Sequence, residues 1–206
     1  MYIPEFNRIE DRATALAFMK ENPFAILVSS SEGGLVATHL PLLVQELGDK
    51  IVLRGHFAKA NHHWSSIEQE ESLVIFHGPH AYISPSLYEI RESVPTWNYA
   101  AVHVYGRAKL ISDMSDAERV LADFIAQFDP SYYQQWLTFS EEYREKMLRR
   151  IVAFEFEATR VETKFKLGQN RTKAEQDNLM KALQGSPDTA VAGVAALMRQ
   201  QKLGSS

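Results

Sequence analysis

Positively charged side chains and a glycine lie close together in the stretch Arg54–Asn61 (RGHFAKAN). The pattern predicts that a strand ends near His56 and that a helix follows over Ala58–Gln69. A helix start leaves backbone N–H groups free and carries partial positive charge, and Lys59 adds an ammonium that can reach an anion. Gly55 allows a ligand to approach the backbone. The stretch therefore predicts a phosphate-binding turn, and a solvated turn without a ligand is the alternative.

Two further stretches concentrate polar and aromatic side chains. Val94–Tyr99 (VPTWNY) sets Asn98 between Trp97 and Tyr99, and two rings beside an amide suit a planar heterocycle. An aromatic plug at the end of a barrel is the alternative. Lys166–Arg171 (KLGQNR) places four polar side chains at the predicted end of a strand. Ligand contacts and a solvated strand end are both open there.

Metal and nucleophile chemistry finds little support in the sequence. The chain has seven histidines and no cysteine, which excludes disulfides, thiolate metal sites and cysteine nucleophiles. His77 and His80 are three residues apart, but Gly78-Pro79 between them prevents a regular helix that would place both on one face. We therefore predict no metal site, and we assign no catalytic residue.

Alternating apolar residues separated by turn residues predict about seven strands with helices around them. Because most strands follow one another in hairpins, we expect a mainly β fold, a closed antiparallel barrel with peripheral helices and a C-terminal helical pair. The predicted strands are Phe24–Ser30, Leu35–Val44, Lys50–His56, Glu71–His77, Ala81–Ser84, Ala100–Ile111 and two between Val152 and Leu167. The predicted helices are Arg12–Glu21, Ala58–Gln69, Ala117–Gln127, Glu141–Arg150, Lys173–Leu183 and Pro187–Lys202.

Composition places the chain among ordinary globular proteins, with 45% apolar and 23% charged residues in 206. No apolar run approaches the ~20 residues that a membrane helix needs, and Met1–Asp11 is too polar for a secretion signal. We expect an intracellular, cytoplasmic protein without a membrane segment. The formal net charge of −4 disfavours a general attraction to nucleic acid and leaves a local basic patch open.

Six sequence motifs, in order along the chain, resemble those of one known family. They are Met1–Pro4 (MYIP), Ala37–Pro41 (ATHLP), Gly55–Asn61 (GHFAKAN), Phe76–Ser86 (FHGPHAYISPS), Val94–Tyr99 followed by His103 and Gly106, and Lys166–Arg171. The chain resembles the PaiB-type FMN-binding proteins, often called negative transcriptional regulators, within the FMN-binding split-barrel group. It departs from their pattern at Leu87, where an aromatic is expected, and at Gly168, where serine is common.

The resemblance implies a six-stranded split barrel that forms a homodimer, with one FMN in each of two clefts between the subunits. The strand with Thr38 and His39 and the turn Gly55–Asn61 would hold the phosphate and ribityl chain. Trp97, Asn98 and Arg171 would lie near the ring, some of them reaching over from the partner subunit. The expected cofactor-binding residues are Thr38, His39, Arg54, Gly55, His56, Lys59, Asn61, Trp97, Asn98, Gln169, Asn170 and Arg171.

Residues 1–171 are expected to form the FMN-binding split-barrel domain, and residues 172–206 a C-terminal helical extension packed on it. The expected function is FMN binding in a transcriptional regulator or a flavin-dependent sensor. A flavin-dependent oxidoreductase acting on a small molecule and a haem-handling split barrel are the alternatives. A DNA operator is a further candidate partner, because the C-terminal helices could form a helix-turn-helix, although few basic residues stand at the start of the second one.

Overall fold

The computed structural model describes residues 1–203, and this part of the chain contains one antiparallel sheet of seven strands and six α-helices. The strands are β1 Phe24–Ser31, β2 Gly34–Pro41, β3 Leu43–Leu47, β4 Lys50–Ala58, β5 Ser72–Ile83, β6 Thr96–Leu110 and β7 Ile151–Lys166. The helices are α1 Arg12–Glu21, α2 Met114–Phe128, α3 Pro130–Trp136, α4 Glu141–Leu148, α5 Lys173–Gln184 and α6 Thr189–Leu203. The sheet order is β2-β1-β5-β6-β7-β4-β3, which confirms the expected antiparallel β class with peripheral helices.

Two compact units make up the described chain, and strands β5, β6 and β7 contribute residues to both. The first unit contains Met1–Phe18, His77–Val102 and the described chain from Glu162 onward. The second unit contains Met19–Phe76 and His103–Val161. A domain boundary after residue 171 stays a prediction, and residues 204–206 of the expected extension lie outside the described residues.

The predicted single strand Leu35–Val44 is wrong, because the chain leaves the ladder at Leu42. The Leu42 N–H donates to the carbonyl of Pro23 at 2.9 Å, and β3 then pairs with β4 at the far end of the sheet order. The Leu42 side chain is buried where a side chain on Gly55 would have to lie, 2.7 Å from the position of a Cβ there. This division produces seven strands in the sheet where the resemblance implies six.

Two predicted interruptions of strands are also wrong. Gly78-Pro79 lies inside the continuous strand β5, and β7 runs without a break through residues 158–160. Pro79 is covered by α6, because a Cβ on Gly193 would lie 2.7 Å from the proline ring. Packing against a helix thus holds the extended backbone where the sequence predicts a break. Strand β6 begins at Thr96, so residues 96–99 extend the strand that was predicted to start at Ala100.

The predicted helix Ala58–Gln69 is wrong as well. A turn follows β4, and a single 3₁₀ turn covers His62–Ser65. The Asn61 side chain accepts a hydrogen bond from the His63 N–H at 3.1 Å and caps this short segment. Such local side-chain bonds to the backbone favour turns over continued helix.

Helix ends follow the capping residues that the structure reveals. Asp11 caps α1, and Thr172 and Glu175 form a capping box at the start of α5. The predicted start of the second long helix at Ala117 is wrong, since Asp113 accepts the N–H groups of residues 115 and 116 and α2 begins at Met114. Asp188 accepts the Ala190 N–H at 2.9 Å, so α6 starts at Thr189, after the proline that was expected to open it. Within the described residues, no helix is both long enough and apolar enough to cross a membrane.

Candidate functional site

Arg54 and His56 lie on one face of β4, and Gly55 and Phe57 lie on the other, because strand residues alternate. The Arg54 guanidinium donates from Nε and Nη2 to Glu155 Oε2, at 2.9 and 2.8 Å. This pair lines a cavity of about 480 Å³ beside α2. The charge of Arg54 is therefore already compensated within the chain.

His56 packs against helix α2 rather than against a charged group. Its ring meets Phe124 edge to face, with ring centroids 5.4 Å apart. Burial lowers the pKa of His56, so the imidazole is neutral near pH 7. Gly55 faces Leu42 and Phe154, and a Cβ there would lie 2.7 and 2.9 Å from these side chains. Packing is thus a sufficient reason for glycine at this position.

Lys59 belongs to the turn that follows β4. Its N–H donates to the Arg150 carbonyl at 2.8 Å, and its own carbonyl accepts from Trp64 Nε1 at 3.0 Å. The backbone of Lys59 is therefore fixed at both ends, while its side chain is exposed. The expected helix start is absent here, so an anion at this turn would depend on the ammonium group and not on a helix dipole.

Thr38 and Asn61 come together around His63, which was not among the expected cofactor-binding residues. Thr38 Oγ1 lies 2.8 Å from His63 Nδ1, and Asn61 Nδ2 donates to Thr38 Oγ1 at 3.2 Å. Ser29 Oγ lies 2.6 Å from His63 Nε2. Thr38 is half-buried, whereas Ser29 and His63 are buried. The adjacent His39 points to the opposite face of β2 and is exposed near the Phe24 ring.

In the first unit, an exposed aromatic surface lies on strands β5 and β6. The Trp97 indole is 6.1 Å from the Tyr82 ring and 5.9 Å from the His80 ring, measured between centroids. Trp97 and Tyr82 are each 53% exposed. Two large rings in this position favour a stacking surface over the barrel plug that the sequence left open. Tyr82 and His80 were not among the expected site residues.

Asn98, the neighbour of Trp97 on β6, is only 2% exposed. Its Nδ2 has no hydrogen-bond partner among the described residues, and such a buried donor costs about 1–3 kcal/mol when unsatisfied. A Cβ on Gly168 would lie 3.7 Å from Nδ2, so this glycine is one of the neighbours that enclose the amide. Because strand residues alternate, Asn98 lies on the buried face of β6, opposite the face that carries Trp97.

The turn after β7 uses most of its polar side chains internally. Gly168 adopts a positive φ of 81°, which suits glycine. Gln169 Oε1 accepts from the Leu167 N–H at 2.8 Å, and its Nε2 donates to the Phe165 carbonyl. These bonds hold the turn, so Gln169 is bonded within the turn and does not form part of a solvated strand end.

Two further expected site residues follow Gln169 in this turn. Asn170 is exposed. Arg171 places its guanidinium carbon 3.7 Å from the centroid of the Tyr88 ring, in cation–π contact. Of the two, Arg171 is therefore held in a defined position by its neighbours.

Known proteins match this chain at the level of sequence and fold. Residues 1–160 match a family described as "Putative FMN-binding domain". The chain belongs to this FMN-binding family. The expected PaiB-type resemblance is confirmed by the Bacillus subtilis protein named "Protease synthase and sporulation protein PAI 2", which is 35% identical over 204 residues, 98% of each chain. FMN is thus the cofactor that membership of the family assigns.

Two solved structures show the same fold as this member of the FMN-binding family. The flavocytochrome Anf3 from Azotobacter vinelandii has a TM-score of 0.63 at 16% identity, over 80% of this chain and 72% of that one. The FAD and heme binding protein from Mycobacterium smegmatis has a TM-score of 0.61 at 15% identity, over 83% and 78%. At this identity the likeness concerns the fold, and it confirms the expected split-barrel architecture.

Proposed function

We propose that this protein binds FMN as a homodimer and that its molecular function depends on the bound flavin. The observation that carries the proposal is the exposed ring of Trp97, which lies beside the equally exposed ring of Tyr82. A flavin ring has a π face that can stack on the indole. Family membership supports FMN as the flavin.

For the phosphate of FMN we propose contacts from Thr38 and Lys59. Thr38 supplies a half-buried hydroxyl, and Lys59 supplies an exposed ammonium on a fixed backbone. Lys59 is better suited to the phosphate than Arg54, because Glu155 already neutralises the Arg54 guanidinium. The remaining expected contacts, from His39, His56 and the other motif residues, stay predictions.

The homodimer is supported by an apolar outer face on β1, β2 and β5. The registers Ile26↔His39, Val28↔Ala37 and Val28↔Leu73 place these residues on the face opposite Ser29 and Thr38. The apolar members of this outer face are Phe24, Ile26, Val28, Leu35, Ala37, Leu73 and Ile75. Leu35 is 79% and Phe24 is 64% exposed. A second copy that covers the same face by two-fold symmetry would bury these side chains.

Bound FMN would supply electron-transfer chemistry, and the protein would bind it, orient it and control access of water. Trp97 would supply a stacking surface, and Thr38 and Lys59 would supply phosphate contacts, which a flavin-dependent sensor and an oxidoreductase share. We favour the sensor or regulator, which the motif resemblance implies, over an oxidoreductase. A cytoplasmic location stays a prediction from the cysteine-free composition.

A DNA operator as partner has weaker support. The acidic Asp188 caps α6 and would meet DNA phosphates unfavourably. The other face of α6 is already packed, with Val194, Leu197 and Met198 buried. These observations favour a structural role for α6.

Flavin titration of the purified protein tests the proposed function. We expect saturable quenching of FMN fluorescence with one FMN per subunit, and flavin absorption bands that stay with the protein on gel filtration. Absence of FMN binding would contradict the proposal. A Soret band after loading with haem, without flavin binding, would support the haem-handling alternative instead.

A further inference from the structure

The His63 imidazole is enclosed by two hydroxyl groups in the second unit. Its Nε2 lies 2.6 Å from Ser29 Oγ, and its Nδ1 lies 2.8 Å from Thr38 Oγ1. Ser29 is 3% and His63 is 4% exposed. Because each nitrogen faces a group that can donate or accept, the positions of the protons follow from the remaining contacts.

Asn61 fixes the first of these contacts. Its side-chain oxygen accepts the backbone N–H of His63 at 3.1 Å, and a backbone N–H can only donate. The opposite atom of the same amide, Nδ2, is therefore the one that faces Thr38, and it donates to Thr38 Oγ1 at 3.2 Å. One lone pair of the Thr38 hydroxyl is thus occupied.

The buried Ser29 hydroxyl decides between the two neutral forms of His63. Burial lowers the pKa of His63, so the ring carries a single N–H near pH 7. With the proton on Nε2, the ring would donate to Ser29 Oγ and leave the serine proton without an acceptor among its described contacts. With the proton on Nδ1, Nε2 accepts from Ser29, so the proton of the buried Ser29 hydroxyl has an acceptor.

The Nδ1–H form also fixes what Thr38 can do. His63 Nδ1–H and Asn61 Nδ2–H then both donate to Thr38 Oγ1 and fill its two lone pairs. Its own proton must point to a third partner, and Thr38 is half-buried at the edge of the cluster. Such a hydroxyl can donate to a ligand but cannot accept from one.

We propose that His63 is held as its Nδ1–H tautomer and makes the Thr38 hydroxyl a donor that selects an acceptor oxygen of its ligand. His63 is in this sense a positioning residue, and Thr38 is the residue that determines specificity. The identification of that oxygen as one of the FMN phosphate rests on the proposed function. The hydrogen-bond pattern among the four side chains exists without any ligand.

The tautomer is measured directly by ¹⁵N NMR of histidine-labelled protein without FMN. His63→Gln identifies the resonances of His63, and His62→Gln, at the exposed neighbouring histidine, is the matched control. We expect Nδ1 of His63 to show the shift of a protonated nitrogen and Nε2 that of an unprotonated one, at pH 7 and at pH 8. Protonation at Nε2 would overturn the proposal.

The selectivity of Thr38 is measured by titrating variants with FMN and with riboflavin, which lacks the phosphate. We expect Thr38→Val to weaken FMN binding roughly tenfold or more and to leave riboflavin binding unchanged. Thr38→Ser keeps the hydroxyl and is expected to bind FMN like the parent. A circular-dichroism melt shows that each variant folds.

The two experiments separate the possible failures. If the parent protein does not bind FMN, the proposed function fails and the NMR result alone decides the tautomer. If Nδ1 is protonated but Thr38→Val loses FMN and riboflavin equally, or neither, the selection of an acceptor oxygen by Thr38 is refuted. Loss of FMN alone, with Nδ1 protonated, supports the full proposal.

Discussion

The Trp97 indole and the Tyr82 ring meet at an interplanar angle of 74°, and both side chains remain exposed. Neighbouring strands β6 and β5 carry the two rings. Such a contact between rings limits the rotation of the indole, which is still 53% exposed. The aromatic surface is therefore pre-organised for stacking.

Trp97→Ala is expected to weaken FMN binding by about 1–3 kcal/mol, because a stacked ring is lost. Riboflavin should lose the same amount, since it has the same ring. Fluorescence titration measures both affinities. Trp97→Phe, which keeps a ring on the same backbone, is the control and should retain most of the affinity. Unchanged binding in Trp97→Ala would mean that the indole does not contact the flavin.

Lys59→Ala is expected to raise the FMN dissociation constant roughly ten- to a hundred-fold, because a charge-assisted contact to phosphate is lost. Riboflavin binding should hardly change. Lys50→Ala is the matched control, since Lys50 lies at the other end of β4 and pairs with Glu157. An equal loss for both ligands in Lys59→Ala would place the phosphate elsewhere.

Arg54→Ala tests the second cation of the stretch Arg54–Asn61 and is compared with Lys59→Ala. Because Glu155 already compensates the guanidinium, we expect a smaller change in the ratio of FMN to riboflavin affinity than for Lys59→Ala. Isothermal titration with both ligands measures this ratio. A larger FMN-specific loss in Arg54→Ala would make Arg54 the main phosphate contact.

The dimer is tested at the outer face of β1 and β2. Leu35→Asp places a charge on the exposed apolar outer face, so we expect light scattering to give a monomer. Leu47→Asp is the control, because Leu47 is also exposed but lies on β3 at the far end of the sheet order. A parent protein that is monomeric and binds FMN with full affinity would refute the dimer as a condition for binding.

Stability is expected to fall with pH below neutrality, because burial lowers the pKa of His56 and of His63 from the ordinary value of 6.5. The unfolded chain then binds protons more readily than the folded one, so acid favours unfolding. The contribution of the two histidines to the free energy of unfolding is full above pH 6.5. It is lost as the pH falls through their lowered pKa values in the folded state. Urea melts across this range measure it, and His56→Gln should flatten the dependence. An unchanged slope would show that His56 is not the group responsible.

Binding to DNA, if it occurs, is expected to be weak and steeply dependent on salt, since the net charge is −4 and α6 starts after an acidic cap. Fluorescence anisotropy at low and physiological salt tests this with candidate operator fragments. Deleting the residues beyond Gly185 should remove specific binding while dimerisation and FMN binding persist. Since α6 buries apolar side chains, a thermal melt must accompany the deletion. The absence of specific binding at low salt would leave the regulator hypothesis unsupported.

Local sequence patterns were sufficient for much of the fold and for the family. Apolar segments bounded by turn residues predict β1 and β4, local sequence predicts helices at α1 and α5, and six motifs in order indicate an FMN-binding split barrel. Each of these signals is contained within a few neighbouring residues, where periodicity and side-chain caps act. Predictions from such short-range signals fail where other contacts decide the backbone, as in the helix that was wrongly expected over Ala58–Gln69.

The sequence by itself determined the family, the cofactor class and most of the strands. Only the tertiary structure decided which polar groups meet, because these contacts join residues far apart in the chain. Thr38 and His63 are 25 residues apart, and Arg54 and Glu155 are 101 apart. Pairing with Glu155 neutralises a cation that composition alone presents as available. His63 is one histidine among seven, and only its burial between two hydroxyls favours one neutral form of its ring. The reason is that unsatisfied donors are costly only where water is excluded.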